Sequence, residues 1–235
     1  MPPEAAPGAA SLGVRLTQLL SALGAFRMLE ACGLLKFLFP ATARALERGD
    51  HALRALVEQG LANTDARIAE GKSVTPAFLY AVLLWGEVRD QAHGWMAQGY
   101  DDNEAWQRAA VHVVGEQCQR VAIPRRFTFT MEEIWALQPR FEQIHRKRVF
   151  RLMSHPRFRA AFDFLLLRAH ESAGMRELGE WWAHAQQLPP EMLAAALGGG
   201  GVPAHETAVA SSAPARKRRR RRKPVGRGKG DPGGA

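Results

Sequence analysis

The sequence predicts an all-α protein with two helical bundle-like regions, a body and a leg, followed by a disordered basic tail. Apolar residues recur three and four positions apart through most of residues 12–187, which is the period of an amphipathic helix. Alternating apolar and polar residues, the pattern of a half-buried strand, never extend beyond a few positions. Hydrophobic residues make up 46% of the chain, so we expect a folded core.

Four helices are expected in the N-terminal half. Gly33 interrupts the first of them and Pro40 ends it, because both residue types disfavour a helix interior. Asp101 and Asp102 precede the fourth helix, where carboxylates accept hydrogen bonds from free backbone N–H groups and oppose the helix dipole. Metal binding by this pair is the less favoured alternative. The expected spans are residues 12–38, 51–61, 75–96 and 103–121.

The C-terminal half is expected to contain four further stretches of helix. Thr130 and Glu133 have the spacing of a capping box, so a helix is expected to begin at Met131. Pro139 has no backbone N–H and is expected to kink or break this helix near Gln138. The later stretches are expected over residues 140–153, 158–169 and 175–187.

Positive charge is concentrated in two parts of the sequence. Residues 119–168 contain eleven Lys/Arg against four Asp/Glu, and residues 202–235 contain ten against two. Residues 1–118, in contrast, contain ten Lys/Arg against thirteen Asp/Glu. Cations at such local density indicate a polyanionic partner, RNA or DNA.

Composition changes along the chain predict five regions. After residue 197 the sequence is rich in Gly, Ala, Ser and Pro and ends in a basic run, so it cannot bury a core and is expected to order only on phosphate. The predicted regions are a disordered leader (1–11), a first helical region (12–50), a helical body (51–124), a basic helical leg that binds RNA (125–188) and a disordered Arg/Lys-rich tail (189–235).

The basic leg and the tail contain the candidates for RNA contact. Arg140, Lys147 and Arg151 recur at i, i+7 and i+11, which places them on one stripe of the predicted helix 140–153. A merely solvated face is the alternative, and the charge imbalance makes it the less favoured one. The predicted RNA-binding residues are Arg125, Arg126, Arg140, Lys147, Arg148, Arg151, Arg157, Arg159 and Arg168 in the leg, and Arg216, Lys217, Arg218, Arg219, Arg220, Arg221, Arg222 and Lys223 in the tail.

Three aromatic residues near the start of the leg have two possible roles. Phe127, Phe129 and Trp135 are close to cationic residues, and exposed aromatic rings can stack on the bases of single-stranded RNA. Residues of this type more often pack in a core, which is the favoured interpretation.

Neither catalysis nor metal binding has a candidate group of residues. His112, Glu116 and Cys118 are close in sequence, but one such His/Glu pair on a helix is more often a polar edge than a metal site. The sequence also has no Asp-x-Asp pair and no phosphate-binding glycine loop, which a nucleotidyltransferase centre would need. We therefore predict no catalytic residues, no metal ligands and no cofactor in this chain.

The N-terminus and the two cysteines favour a soluble cytoplasmic protein without membrane partners. Cys32 and Cys118 lie far apart and suggest neither a disulfide framework nor a zinc site. No apolar run approaches the roughly 20 residues that span a bilayer, and residues 1–10 lack the basic start of a signal peptide.

Several ordered segments also point to a known family. The segments are residues 34–40, 63–68, 76–79, 123–130, 134–135, 147–152, 155–163 and 181–182. In order and spacing they resemble the C-terminal part of the bacterial poly(A) polymerases. The resemblance extends from about residue 21 to residue 188, and a basic tail of similar kind follows. It implies that the helical region 12–50 is the end of a neck-like region.

This resemblance implies part of an enzyme that adds AMP from ATP to RNA 3′ ends, with two metal ions held in a catalytic head. The head is expected before residue 20, where this sequence is only Ala/Pro-rich, so no family active-site residue can be carried over. ATP and Mg²⁺ are expected only for the complete family enzyme, and this chain alone is expected to be inactive. RNA is the expected partner, and the catalytic head is expected either on a separately encoded chain or to be lost. The alternative is a stand-alone RNA-binding or scaffold protein that reuses this helical module.

Overall fold

The structure, a computed structural model, describes residues 21–198. Over this range it contains helices and no strand, which confirms the all-α prediction. The predicted leader, the first part of the predicted helix 12–38 and the tail after residue 198 lie outside the described residues. No helix between residues 21 and 198 combines the length and the apolar character needed to cross a bilayer.

The described part of the chain consists of α-helices joined by short turns, with one 3₁₀ helix after the ninth. The helices are α1 Ala22–Ala31, α2 Leu35–Leu38, α3 Pro40–Glu47, α4 His51–Ala69, α5 Pro76–Ala97, α6 Asp102–Cys118, α7 Arg125–Phe141, α8 Arg146–Met153, α9 Phe158–Leu167, the 3₁₀ helix Arg168–His170, α10 Ala173–Ala185 and α11 Pro190–Gly198.

The N-terminal helices follow the predicted breaks, with one difference at Pro40. Gly33 has a φ of 67° and separates α1 from α2, as its lack of a Cβ allows. Pro40 ends the first unit as predicted, but it is also the first residue of α3, which was not predicted. The fixed φ of proline suits this first helical position. Helix α4 is also longer than predicted and continues to Ala69.

Carboxylates accept hydrogen bonds at the starts of three of these helices, and one of them is Asp50, which caps α4 by accepting from the N–H of Leu53 at 2.8 Å. The Asp101 side chain accepts hydrogen bonds from the backbone N–H groups of Asn103 and Glu104, at 2.9 and 3.3 Å, which confirms its predicted capping role. The third contact was not predicted, because its partners are distant in sequence. Asp65 on α4 accepts hydrogen bonds from the N–H groups of Ala22 and Leu23 at 2.6 and 3.1 Å, and so ties the start of α1 to α4.

The predicted start of α7 is wrong, and the helix is not broken at Pro139. The helix begins at Arg125, directly after Pro124, and the Thr130 hydroxyl donates to the carbonyl of Arg126 inside the helix instead of forming a capping box. Pro139 does not break the helix, which continues to Phe141. Since Pro139 lies in the last turn, its missing N–H removes only a hydrogen bond close to the helix end.

Two predictions about the C-terminal segments need correction. Helix is absent from residues 142–145, so the predicted helix 140–153 is in fact the end of α7 followed by α8. The predicted tail 189–235 is wrong over its first residues, because Pro190–Gly198 forms α11. Leu193 of α11 is buried, and this contact holds a short Ala-rich segment on the folded part.

Buried apolar residues between 21 and 198 form two clusters, which we name the first core and the second core. The first core is built mainly by α3 to α7, and its members include Leu53, Leu56, Val82, Trp85, Trp106, Met131, Ile134, Trp135, Phe164 and Leu167. The second core is formed by Leu137, Phe141, Val149, Leu152, Phe158, Ala161, Phe162, Leu165, Trp182, Ala185 and Leu193. Helices α7 and α9 contribute to both cores. The predicted boundary between the body and the leg, at residues 124 and 125, stays a prediction.

The close packing of α5 on α4 makes Gly86 sensitive to substitution. A Cβ at Gly86 would lie 2.5 Å from Cδ2 of Leu53, a core residue that is only 1% exposed. We therefore expect Gly86→Ala to lower the free energy of unfolding by about 1–3 kcal/mol through overpacking.

The control is Gly94, which lies in the same helix and has no atom within 4 Å of such a Cβ. Gly94→Ala should raise stability by about 0.5–1 kcal/mol. Urea denaturation measures both, and equal effects would contradict the packing argument.

Candidate nucleic-acid interface

Helix α7 carries predicted RNA-binding cations at both of its ends. Arg125 and Arg126 are exposed in its first turn, and the Arg126 guanidinium lies 4.8 Å from the centre of the Phe127 ring. Arg140 is exposed in the last turn. Burial raises the pKa of the nearby Glu132 carboxyl, while Arg125 partly opposes this change. A raised pKa favours the neutral form of the Glu132 carboxyl, so this carboxyl loses its negative charge at a higher pH than an ordinary glutamate does.

The predicted stripe of three cations on one helix is wrong. Arg140 belongs to α7, whereas Lys147 and Arg151 belong to α8, and the non-helical residues 142–145 separate them. Lys147 and Arg151 are still one turn apart and share a face. Val149 and Leu152 are buried in the second core, so α8 presents its charged side to solvent.

Four cations of α8 are exposed, and their position creates unfavourable electrostatics. Arg146, Lys147 and Arg148 occupy the first turn, where the helix dipole is positive, and Arg151 follows in the second. Counting over residues 21–198, none of the four forms a salt bridge, although Arg148 donates a hydrogen bond to the Gln143 side chain. A phosphate bound here would relieve both the mutual repulsion and the dipole term.

Two arginines at the start of α9, Arg157 just before it and Arg159 in its first turn, are exposed but paired. The Arg157 Nε lies 3.0 Å from Oε2 of Glu133, and the Arg159 Nη2 lies 3.0 Å from Oδ1 of Asp163. The Arg159 side chain is 76% exposed, so its ion pair is a surface pair that contributes little to stability. Both arginines remain available to exchange a carboxylate for a phosphate.

Arg168, predicted to contact RNA, is instead buried at 5% exposure. Its Nε lies 3.0 Å from Oε2 of Glu171, its guanidinium lies 4.8 Å from the centre of the Trp85 ring, and its Nη1 approaches Oε1 of Gln138 at 3.5 Å. The short 3₁₀ helix after α9 turns this side chain inward against the first core. Arg168 therefore leaves the set of candidate RNA contacts.

Unpaired cations distinguish the basic block from the preceding residues. Among residues 21–198, eight of the eleven Lys/Arg in the block 119–168 have no carboxylate partner, the exceptions being Arg157, Arg159 and Arg168. In residues 21–118, six of the nine Lys/Arg are paired within the described range. Unpaired surface cations attract counterions that an RNA backbone can displace.

The three aromatic residues occupy different environments. Trp135 is fully buried in the first core, where its Nε1 donates to the carbonyl of Ala81 at 3.2 Å, and Phe127 packs partly against the same core. These two positions confirm the core interpretation. Phe129 contradicts it, because the ring is 58% exposed on the face that also carries Arg126 and Arg140. An exposed ring among cations is a suitable surface for base stacking.

Metal binding has no support in residues 21–198. His112, Glu116 and Cys118 are exposed on α6, and no three His, Cys, Asp or Glu residues in this range lie close enough together to hold an ion. The predicted tail contacts, residues 216–223, lie outside the described residues.

A cleft with a volume of about 560 Å³ adds residues that the sequence analysis did not select. It brings together Asn63 and Arg67 of α4, Thr75 before α5, Thr130 of α7 and Arg159 of α9. Five of the segments that carry the family resemblance contribute to this cleft, namely residues 63–68, 76–79, 123–130, 134–135 and 155–163. The sequence contains these segments, but only the folded structure shows that they meet.

Curated relatives match this chain over most of its length. Poly(A) polymerase I of Salmonella typhi is 38% identical over 184 residues, which cover 76% of this chain and 39% of that protein. Poly(A) polymerase I of Escherichia coli O157:H7 is 37% identical over 172 residues, which cover 71% of this chain and 37% of that protein. The Haemophilus influenzae poly(A) polymerase I is 32% identical over 176 residues, which cover 74% of this chain and 39% of that protein. The chain thus spans about two fifths of the length of the curated relatives it matches.

The match to a protein family lies over the basic part of the chain. The family described as "Polymerase A arginine-rich C-terminus" matches residues 98–224, which is more than half of the sequence. This range contains α7, α8 and α9, the helices that carry the exposed cations. The resemblance to poly(A) polymerases inferred from the sequence is therefore confirmed. The chain belongs to the polymerase A arginine-rich C-terminus family.

Proposed function

We propose that this chain binds single-stranded RNA through the exposed cations of residues 119–168, as the RNA-engaging C-terminal part of a poly(A) polymerase. The observation that supports this role is the set of eight cations without a carboxylate partner among residues 21–198. Seven of them lie at the ends of α7 and on the exposed face of α8, and Arg120 lies between α6 and α7. Such a distribution matches the negative charges repeated along an RNA backbone.

The proposal divides the work of the polymerase between two parts. This chain positions RNA, while the addition of AMP from ATP with Mg²⁺ belongs to a catalytic head, in the same protein or on another chain. Binding through phosphate predicts little sequence preference, since phosphate contacts carry no base information. The exposed Phe129 ring adds a base contact that every sequence can use.

The experiment removes charge from α8 and keeps a polar side chain at each position. In the variant Lys147→Gln/Arg148→Gln/Arg151→Gln, we expect affinity for a 15-nucleotide oligo(A) RNA to fall about tenfold or more at 50 mM salt. The slope of log affinity against log salt should decrease in magnitude by about 2, because each lost phosphate contact removes about 0.7. Fluorescence anisotropy at several salt concentrations measures both quantities.

Two further proteins make the result specific. Since residues 216–223 carry eight consecutive cations, the α8 variant is also measured with all eight replaced by serine, so that the tail does not hide the effect. The matched control is Lys36→Gln/Arg44→Gln/Arg48→Gln, which removes the same charge from exposed positions at α2 and α3. If the control weakens binding as much as the α8 variant, the assignment to α8 fails.

A further inference from the structure

We propose that the cleft lined by α4, the turn before α5, α7 and α9 binds one nucleotide unit, with the base inside and the phosphate at the rim. This inference deepens the proposed function and rests on it, because it names a site for one residue of the bound RNA. The volume of about 560 Å³ lies within the range of about 300–1,000 Å³ that is usual for small-molecule sites.

Part of the cleft lining is apolar and suits a nucleobase. Phe78, Ile134, Ala160 and Leu166 line it, and Leu166 is 42% exposed although it belongs to a helix whose other apolar residues are mostly buried. The Phe78 ring is held in an edge-to-face contact with Phe164, at 6.1 Å between ring centres. A base that entered would cover apolar surface that is otherwise in contact with water.

The rim of the cleft is cationic and suits a phosphate. Arg67, Arg157 and Arg159 line it, against one lining carboxylate, Asp163. Arg67 has no salt-bridge partner in residues 21–198, and its guanidinium makes only a long hydrogen bond of 3.5 Å to the Ser73 carbonyl. Its five N–H donors are therefore largely available for phosphate oxygens.

Polar groups at the cleft can distinguish a nucleotide from a simple anion. Asn63 accepts a hydrogen bond from Gln59 at its Oδ1, and among the described residues its amide nitrogen has no acceptor. The hydroxyls of Ser73, Thr75 and Thr130 also line the cleft. Amide and hydroxyl groups beside an apolar wall are what a base edge and a ribose require. A free nucleotide and a nucleotide within an RNA strand share this chemistry. The experiment therefore measures the binding of AMP and the binding of RNA separately.

The test fills the cleft without changing charge. Ser73→Trp puts a large ring at an exposed position of the rim, and Ala31→Trp is the matched control at an exposed position outside the cleft. For the full chain and fluorescein-labelled oligo(A) RNA, we expect Ser73→Trp to weaken binding about tenfold, as the loss of one stacked base would. The salt slope should stay unchanged, because no cation is lost. Ala31→Trp should leave the affinity within about twofold of wild type.

A second variant and a second probe complete the design. Arg67→Gln should weaken RNA binding and lower the salt slope by about 0.7, and it keeps the test decisive if Ser73→Trp does not fold by circular dichroism. Isothermal titration calorimetry with AMP then identifies the source. AMP binding that Ser73→Trp abolishes supports a site open to free nucleotides. RNA binding that weakens in Ser73→Trp without measurable AMP binding supports a site used only by a strand.

The remaining outcomes separate this inference from the proposed function. RNA binding that responds to the α8 variant but not to Ser73→Trp or Arg67→Gln, with no AMP binding, would overturn the cleft and keep the proposed function. Wild-type protein that binds no RNA would overturn the proposed function. In that case AMP binding that Ser73→Trp abolishes would support the nucleotide site in the cleft, and the absence of AMP binding would overturn it.

Discussion

Replacing Glu171 by alanine is expected to lower the free energy of unfolding by about 3–5 kcal/mol, because it leaves the buried Arg168 charge without its carboxylate partner. Arg168 is 5% exposed, and its ion pair with Glu171 is almost completely shielded from solvent. The same carboxylate accepts a hydrogen bond from the Nε1 of Trp85, in the middle of the first core. A single substitution therefore removes the partner of a buried cation and of a buried indole.

Two controls identify the cause of that loss. The pair Arg168→Met/Glu171→Gln removes both charges and keeps an amide oxygen for Trp85, so it should be much less destabilising than Glu171→Ala. Asp163→Ala breaks the exposed ion pair with Arg159 and should change stability by no more than about 0.5 kcal/mol. Urea denaturation of the four proteins measures these differences. A double variant as unstable as Glu171→Ala would show that packing, not the unpaired charge, is responsible.

Replacing Trp182 by alanine is the second change for which a large effect is expected, about 3–5 kcal/mol. Trp182 is fully buried at the centre of the second core, where its ring contacts Phe141 and Phe158 at 5.1 and 5.8 Å between ring centres. Its Nε1 donates to the carbonyl of Phe141 at 3.0 Å. That carbonyl belongs to the last turn of α7 and has no partner within its own helix.

Two milder variants separate the ring from its hydrogen bond. Trp182→Phe keeps most of the apolar volume but leaves the Phe141 carbonyl without its donor, so a loss of about 1–3 kcal/mol is expected. Trp181→Ala removes the neighbouring, half-buried ring and should cost clearly less than Trp182→Ala. The midpoint and slope of urea denaturation measure all three. Equal losses for Trp181→Ala and Trp182→Ala would contradict the central role of Trp182.

The second core also connects this stability to the proposed function. Helix α8 is attached to it through Val149 and Leu152, and the cations of α8 project from the opposite side. Loosening the core should therefore weaken RNA binding even though Trp182 is buried away from any RNA. RNA affinity of Trp182→Ala, measured where the protein is still folded, should fall, whereas Gly94→Ala should leave it unchanged.

Helix ends illustrate where local sequence signals were insufficient. Nothing in residues 142–145 is a glycine or a proline, so the interruption between α7 and α8 had no signal, and the three-cation stripe was drawn across it. Pro139 gave a clear signal for a break that does not occur. Burial of Leu137 and Phe141 on either side of it holds the last turn of α7 in place. Tertiary packing outweighed the local preference in both cases.

The sequence by itself determined the all-α class, the approximate position of most helices within residues 21–198, and the concentration of positive charge after residue 118. These properties depend on the local spacing of apolar residues and on composition, which can be read along the chain. Only the tertiary structure decided that Arg168 is buried, that Phe129 is exposed and that Arg67 and Arg159 meet at one cleft. Each of these outcomes depends on contacts between distant segments, because burial and pairing are properties of the packed chain.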